Sequence, residues 1–355
     1  MILYKDEQYG FYEIFNEENG TLIRSDIDGV DPICRSFPEL LDVGIMGHCD
    51  NGSYCKSAGI DCYQKGYSIY TPHMTVSDFD LIARQAAGKT FQIALGGAGD
   101  PNKHPEFQEI LKICKYYRIV PNLTTSGWRL TDNEIHNIKD YCGAVAVSWY
   151  SRLINGAESN TATIEAVKRL VGEGCTTNIH YVISNQTIGE AIYRLENDLF
   201  PRDINAVIFV LYKPVGYGQK NKMVSQIELL DNFLMLAIKK HHFRVGFDTC
   251  FTPAILRWCM DDIPVSCIDA CEAGTFSMYI DSQLNAYPCS FGIDCRDNGI
   301  SLKSNTIRDV WNSELFSRLR KSTDEICLSC KEKVHCLGGC KLRLDINLCK
   351  ERSKV

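Results

Sequence analysis

With 355 residues the chain can bury one large core with an appendage, or two cores. Its 45% hydrophobic and 23% charged residues are ordinary for a soluble globular protein, and a net charge of −6 gives no general attraction to nucleic acid or anionic membranes. The N-terminus turns charged at Lys5, Asp6 and Glu7, unlike a signal peptide, and no apolar stretch approaches the ~18 residues of a membrane span. A cytoplasmic protein without nucleic-acid or membrane partners is expected.

The cysteine content is unusual. Of 18 cysteines, 11 lie beyond residue 249 and five of those between Cys327 and Cys349. A disulfide framework suits a small secreted domain, and this chain is neither small nor visibly secreted. Crowded thiols in such a chain point to metal or iron–sulfur ligation.

In chain order, residues 9–26 alternate weakly and turn at Asn19-Gly20, which predicts a short β-hairpin within residues 1–40. Apolar runs then follow at 41–46, 90–95, 119–124, 143–148, 177–183, 206–211 and 244–247. Amphipathic stretches stand between them. One follows Ser77, a candidate N-cap with Asp80 three residues on. Others carry Phe107, Ile110, Leu111 and Cys114, or Ile164, Val167, Leu170 and Val171, or Ile192 and Leu195, or Ile227, Leu230, Leu234 and Ile238. Repeated βα alternation implies parallel strands joined by crossover helices, with chemistry at the C-terminal strand ends. Residues 41–249 are assigned to this unit. Beyond them, 250–355 hold many cysteines and one clear helix, 306–320, and need metal centres to fold.

The loop after the first run carries Cys49, Cys55 and Cys62. Three thiolates can hold one metal centre and leave a coordination position open. The second run ends in Gly96, Gly97 and Gly99 beside Asp100. Glycines at a strand end let a ligand approach the backbone, although a plain tight turn has the same composition. Ser126 and Ser148 close the next two runs, and either could bind a polar ligand or simply cap a helix. The densest motif is C-x2-C-x5-C-x3-C (Cys327, Cys330, Cys336, Cys340) with Cys349 beyond it. Cys267, Cys271 and Cys289 stand upstream, which makes eight thiolates, enough for two four-cysteine centres. Spacing alone does not separate iron–sulfur clusters from zinc.

This pattern, with the helix through Trp311, Phe316 and Leu319 before it, resembles the SPASM extension of the radical SAM superfamily. The stretch from Gly96 to Pro101 resembles that superfamily's Gly-Gly-Glu-Pro segment. The resemblance implies a partial (β/α)6 barrel with a C-terminal cysteine-rich extension. It also implies three [4Fe–4S] clusters, S-adenosylmethionine (SAM), and an electron donor such as flavodoxin or ferredoxin. Cys49, Cys55 and Cys62 would be the catalytic ligands, holding the SAM-binding cluster. Gly96, Gly97, Gly99, Asp100, Tyr63, Ser126 and Ser148 would line the SAM site. Cys327, Cys330, Cys336 and Cys349 would hold an outer auxiliary cluster. Cys340 would join Cys271 and Cys289 at an inner one, with Cys267 as fourth ligand and Cys295 as its rival. Cys34, Cys114, Cys142, Cys175, Cys250 and Cys259 read as buried apolar cysteines.

Three departures stand out. The first cysteine loop is C-x5-C-x6-C instead of C-x3-C-x2-C, with Asp61 where the family has an aromatic residue and Tyr63 just after. The Glu of the SAM segment is absent and Asp100 is near. Leu284 replaces a glycine five residues before Cys289. The resemblance implies hydrogen abstraction from a peptide or protein: crosslinking, epimerisation or oxidation. Ser290 stands where the sulfatase-maturing branch has a basic Asp. The rival readings are a radical enzyme acting on a small molecule and a zinc-stabilised binding module. No winged-helix leader-binding domain fits before residue 41, so a peptide would use the barrel mouth, the hairpin edge or a separate protein.

Overall fold

The computed structural model describes residues 1–259, 262–294 and 299–349. Strands β1 (Ile2–Asp6), β2 (Phe11–Phe15) and β3 (Leu22–Asp26) form an antiparallel sheet, so the expected hairpin is three-stranded. The Asn19-Gly20 turn is not a two-residue one. Six residues separate β2 from β3, and of this pair only Gly20 is left-handed (φ 73°).

The alternating part then runs β4 (Leu40–Met46), α1 (Gly52–Ser57), α2 (Val76–Ala86), β5 (Gln92–Gly97), α3 (Phe107–Tyr116), β6 (Val120–Thr125), α4 (Asp132–Tyr141) and β7 (Ala144–Ser148). A two-residue hairpin, β8 (Leu153–Ile154) with β9 (Ala157–Glu158), leads into α5 (Thr161–Gly172). After it come β10 (Thr177–Ile183), α6 (Ile188–Glu196), β11 (Ala206–Leu211), α7 (Ile227–Ala237) and β12 (Arg244–Phe247). Strands β4, β5, β6, β7, β10, β11 and β12 are parallel neighbours in that order. Six βα units and a seventh strand therefore make the expected partial barrel.

Strand side chains alternate between the helices and the sheet's inner face. Leu41, Val43, Ile93, Leu123, Val145, Ile179 and Val207 are buried in the core with the helices' apolar stripes. The cap of α2 is Thr75, which accepts from the Asp78 amide at 3.1 Å, and not Ser77. Helix α4 has only Ile135 and Ile138 as buried apolar residues, too few for periodicity to reveal it. Its legible signal is the Thr131–Glu134 capping box.

The C-terminal part continues the same sheet. After α8 (Thr252–Trp258), β13 (Ser277–Ile280) pairs parallel with β4, and β14 (Asn285–Tyr287) and β15 (Ile300–Ser301) extend it antiparallel. The expected single helix 306–320 is two, α9 (Ile307–Trp311) and α10 (Glu314–Lys321). On one straight helix Trp311 and Phe316 would point about 140° apart. The break at Ser313 lets both bury fully, with ring centroids 5.5 Å apart. A short α11 (Lys333–Cys336) follows.

Arg35 ties the three parts together. It is fully buried, pairs with the fully buried Glu13 of β2 at 2.7 Å, and donates to the carbonyls of Phe37 and Lys89. Its own carbonyl accepts from the Trp311 indole at 2.9 Å. Arg24 of β3 makes a second tie, to Glu39 (3.3 Å) and to Asp269 (2.8 Å). Among the described residues no helix is long and apolar enough to cross a membrane.

Candidate metal and cofactor site

The first cysteine loop closes over the C-terminal ends of β4 and β5. Backbone packing here leaves no room for side chains. A Cβ on Gly66 would overlap the Ala98 carbonyl, and one on Gly99 would meet the His48 carbonyl at 2.7 Å and Cys49 Cα at 3.2 Å. Gly97 is left-handed (φ 117°) and packs on the backbone of Met46. The Cys49 amide donates to the Gly66 carbonyl (3.1 Å), and the Gly66 amide donates to the Cys62 sulfur (3.4 Å). Cys55 lies on α1 and interacts electrostatically with both Cys49 and Cys62, so all three thiols gather in one place. Burial, with the Asp100 carboxylate adding to it, pushes Cys49 up to about 11 and Cys55 up to about 12. Thiols so poised are poor nucleophiles. They become thiolates only against a strong positive centre, which suits iron ligands.

Asp100 is the hub beside them. Its carboxylate accepts from the Ser126 amide (2.8 Å), the Ser126 hydroxyl (2.5 Å) and the Asn51 amide (3.1 Å). Burial raises its pKa against those bonds. Ser148 bonds the Tyr150 hydroxyl, which in turn bonds Cys55. Gly96 has open space in front of it apart from an Asp42 oxygen, 3.9 Å from where a Cβ would stand. The glycines, Asp100, Ser126 and Ser148 are thus gathered around the three thiols. Tyr63 lies elsewhere: its ring packs on Phe291 (4.8 Å) and its hydroxyl bonds Gln64, between Cys62 and Cys289. Asp61 has a structural task, accepting from Lys222 (2.6 Å) and Tyr212 (2.8 Å) and so pinning the long loop to the segment after β11.

The C-terminal thiols form two further groups. Cys327, Cys330, Cys336 and Cys349 all line one cavity of about 390 Å³. Cys340 instead interacts with Cys271 and Cys289. The separation has a backbone cause. Leu337, Gly338 and Gly339 are successive left-handed residues (φ 51°, 94° and 63°), and they turn the chain sharply between Cys336 and Cys340. Leu284 is also left-handed (φ 64°), the conformation a glycine would adopt without strain. Cys267 is exposed, and Cys295 lies outside the described residues. Among the described residues no group of three or more His, Cys, Asp or Glu side chains is already set to hold a metal ion.

Sequence reasoning missed the inner face of the sheet. Asp42 of β4 bonds Ser290, the residue after Cys289, and burial raises it to about 7. In register beside it stands Tyr279 of β13, whose hydroxyl accepts from Gln64 at 3.5 Å. His180 of β10 is pushed down to about 4 by burial. The alternation of β4 carried a faint signal, a lone acid in an apolar run.

The fold and site are thus a partial βα barrel with three thiols at its mouth and two further thiol groups on a sheet extension. Residues 271–332 match the SPASM model, an iron–sulfur cluster-binding domain. SuiB of Streptococcus suis has the same fold, with a TM-score of 0.72 at 17% identity over 99% of this chain and 96% of SuiB. SuiB has also been solved bound to its precursor peptide SuiA (TM-score 0.64, 18% identity, 90% of this chain and 75% of that one). Histidine-tagged anSMEcpe with bound AdoMet gives a TM-score of 0.61 at 15% identity over 85% of this chain and 86% of that one. No curated protein matches by sequence.

Proposed function

We propose that this chain is a radical SAM enzyme that modifies a peptide or protein. The observation that carries the reading is the convergence of three half-buried thiols with Gly96, Gly97, Gly99 and Asp100 at the end of β4 and β5. Three thiolates leave one iron of a [4Fe–4S] cluster open, and the adjoining glycines and Asp100 offer SAM a polar cradle. Held by those residues, the cluster and SAM would supply the radical chemistry for hydrogen abstraction from the substrate.

The chain's own residues do the rest. Asp100, fastened by Ser126 and Asn51, presents carboxylate lone pairs to the SAM amine. Asp42, Gln64, Tyr63 and Tyr279 form a polar patch inside the barrel between the first thiols and Cys289, where a substrate would meet the radical. Asp42 can hold or release a proton there near neutral pH. We assign the barrel to 41–249 and the auxiliary-cluster region to 250–355, with a flavodoxin or ferredoxin as electron source in the cytoplasm. SuiB and anSMEcpe have both been solved with peptides, which supports a peptide substrate here. So does the N-terminal sheet, whose solvent face carries Leu3, Ile14 and Ile23 in register beside open strand edges.

The test is anaerobic reconstitution with mass spectrometry of 5′-deoxyadenosine in the presence of short peptides encoded beside the gene. About 12 irons and SAM cleavage are expected. Joint replacement of Cys49, Cys55 and Cys62 by Ala leaves about 8 irons and no cleavage. Colourless protein with stoichiometric zinc would refute the reading.

A further inference from the structure

The inner thiol group has three members so far, Cys271, Cys289 and Cys340, and a four-cysteine centre takes one more. We infer that Cys250 is the fourth ligand of the inner auxiliary [4Fe–4S] site, with Lys213 as the buried cation that offsets the site's charge. This rests on the iron–sulfur reading above and replaces both the apolar role expected for Cys250 and the ligand role expected for Cys267.

Cys250 sits in the short turn Thr249–Phe251 at the C-terminal end of β12, where the barrel presents its functional groups. Cys271 and Cys340 both act on it electrostatically. Two contacts hold its turn against both partners' segments. The Thr252 hydroxyl donates to the Asp269 carbonyl at 2.6 Å, two residues before Cys271. Pro253 packs on Gly339, next to Cys340, so closely that a Cβ there would come within 2.9 Å of the proline ring. Cys267 is differently placed: it is exposed and lines a cleft with Ile238, Val245 and Ile263, against α7 and β12.

Lys213 supports the assignment independently. It is buried at the end of β11, with its ammonium donating to Asp248 and to the Leu211 carbonyl (2.9 Å) and lying 4.6 Å from the Phe291 ring centre. Its charge acts on Cys250, Cys289 and Cys340. The Asp248 carboxylate shares that charge, so Lys213 offsets only part of the site's charge. A four-thiolate cluster is anionic overall, and a cation fixed beside three of its ligands lowers the cost of burying it.

The test compares Cys250→Ala, Cys267→Ala and Cys295→Ala in the full reconstituted chain. It reads iron per chain and the low-temperature EPR spectrum before and after mild oxidation. Wild type should carry about 12 irons. Only Cys250→Ala should lose inner-site iron, about 1 to 4 per chain, and yield a three-iron signal on oxidation. Cys250→Ser, which keeps a ligand atom, covers the case where alanine prevents folding, and should alter the spectrum of one reduced cluster. Lys213→Met should move one midpoint potential negative, because a lost positive charge disfavours the added electron. Wild type with about 12 irons and an unaltered Cys250→Ala or Cys250→Ser overturns this inference alone; wild type without iron overturns the reading beneath it.

Discussion

Replacing Arg35 by Met should cut stability sharply, and the loss should depend on pH. Arg35 and Glu13 are both fully buried and paired at 2.7 Å. Its neighbour Glu39 is held well above the usual carboxylate range by burial, despite Arg24. Glu39 thus favours its protonated form while Arg35 neutralises Glu13. Without Arg35, Glu13 must take up a proton. Protonating an ordinary carboxyl at pH 7 costs about 3.7 kcal/mol, at 1.36 kcal/mol per pH unit. The Phe37 and Lys89 carbonyls also lose their donor, at ~1 kcal/mol each. The expected loss is about 4–6 kcal/mol at pH 7 and about 2–3 kcal/mol at pH 5, because the protonation cost shrinks by about 2.7 kcal/mol over two pH units. Urea denaturation followed by tryptophan fluorescence measures it, since Trp311 docks on the Arg35 carbonyl. Hydrogen exchange should show β1–β3 opening first. Arg35→Met with Glu13→Leu should recover most of the loss, as apolar replacement of a whole buried pair usually does. A loss below about 1 kcal/mol, or one equal at pH 5 and pH 7, would refute the argument.

Two further outcomes follow from the site. Asp42, with its pKa raised to about 7 by burial, keeps its proton in the folded state over a range where the unfolded chain has lost it. Its contribution to stability therefore falls as pH rises from about 4 to about 7, and Asp42→Asn should remove that slope and gain about 4 kcal/mol at pH 8. Denaturation midpoints of the two proteins that ran parallel from pH 5 to pH 8 would count against it. Gly66→Ala should displace the first cysteine loop, because its Cβ would overlap the Ala98 carbonyl. Iron should drop to about 8 per chain with the auxiliary clusters intact; an unchanged iron count would show that the loop can yield.

Much of this protein was legible in one dimension. All seven parallel strands fall on the expected runs within about two residues, although several alternate, as in Thr177–Ile183, because their inner face carries polar side chains. The thiol motif was legible because ligands of one centre recur at short spacing. The turn at Leu337, Gly338 and Gly339 then separates Cys336 from Cys340, a division that spacing alone left open. Other features depend on contacts between distant segments. The docking of β13 on β4 sets Tyr279 beside Asp42, more than 200 residues away in the chain. Arg24 and Arg35 show as ordinary charges in sequence, yet they join the first sheet to the barrel and the C-terminal region. Cys250 has no motif, since its nearest partner in sequence, Cys271, is 21 residues on; only the end of β12 brings it to Cys271 and Cys340. Local pattern decided which strands form and that the C-terminal thiols are crowded, because both depend on near neighbours. Tertiary structure alone decided which buried charges face one another, because burial and pairing depend on whatever the fold places across the gap.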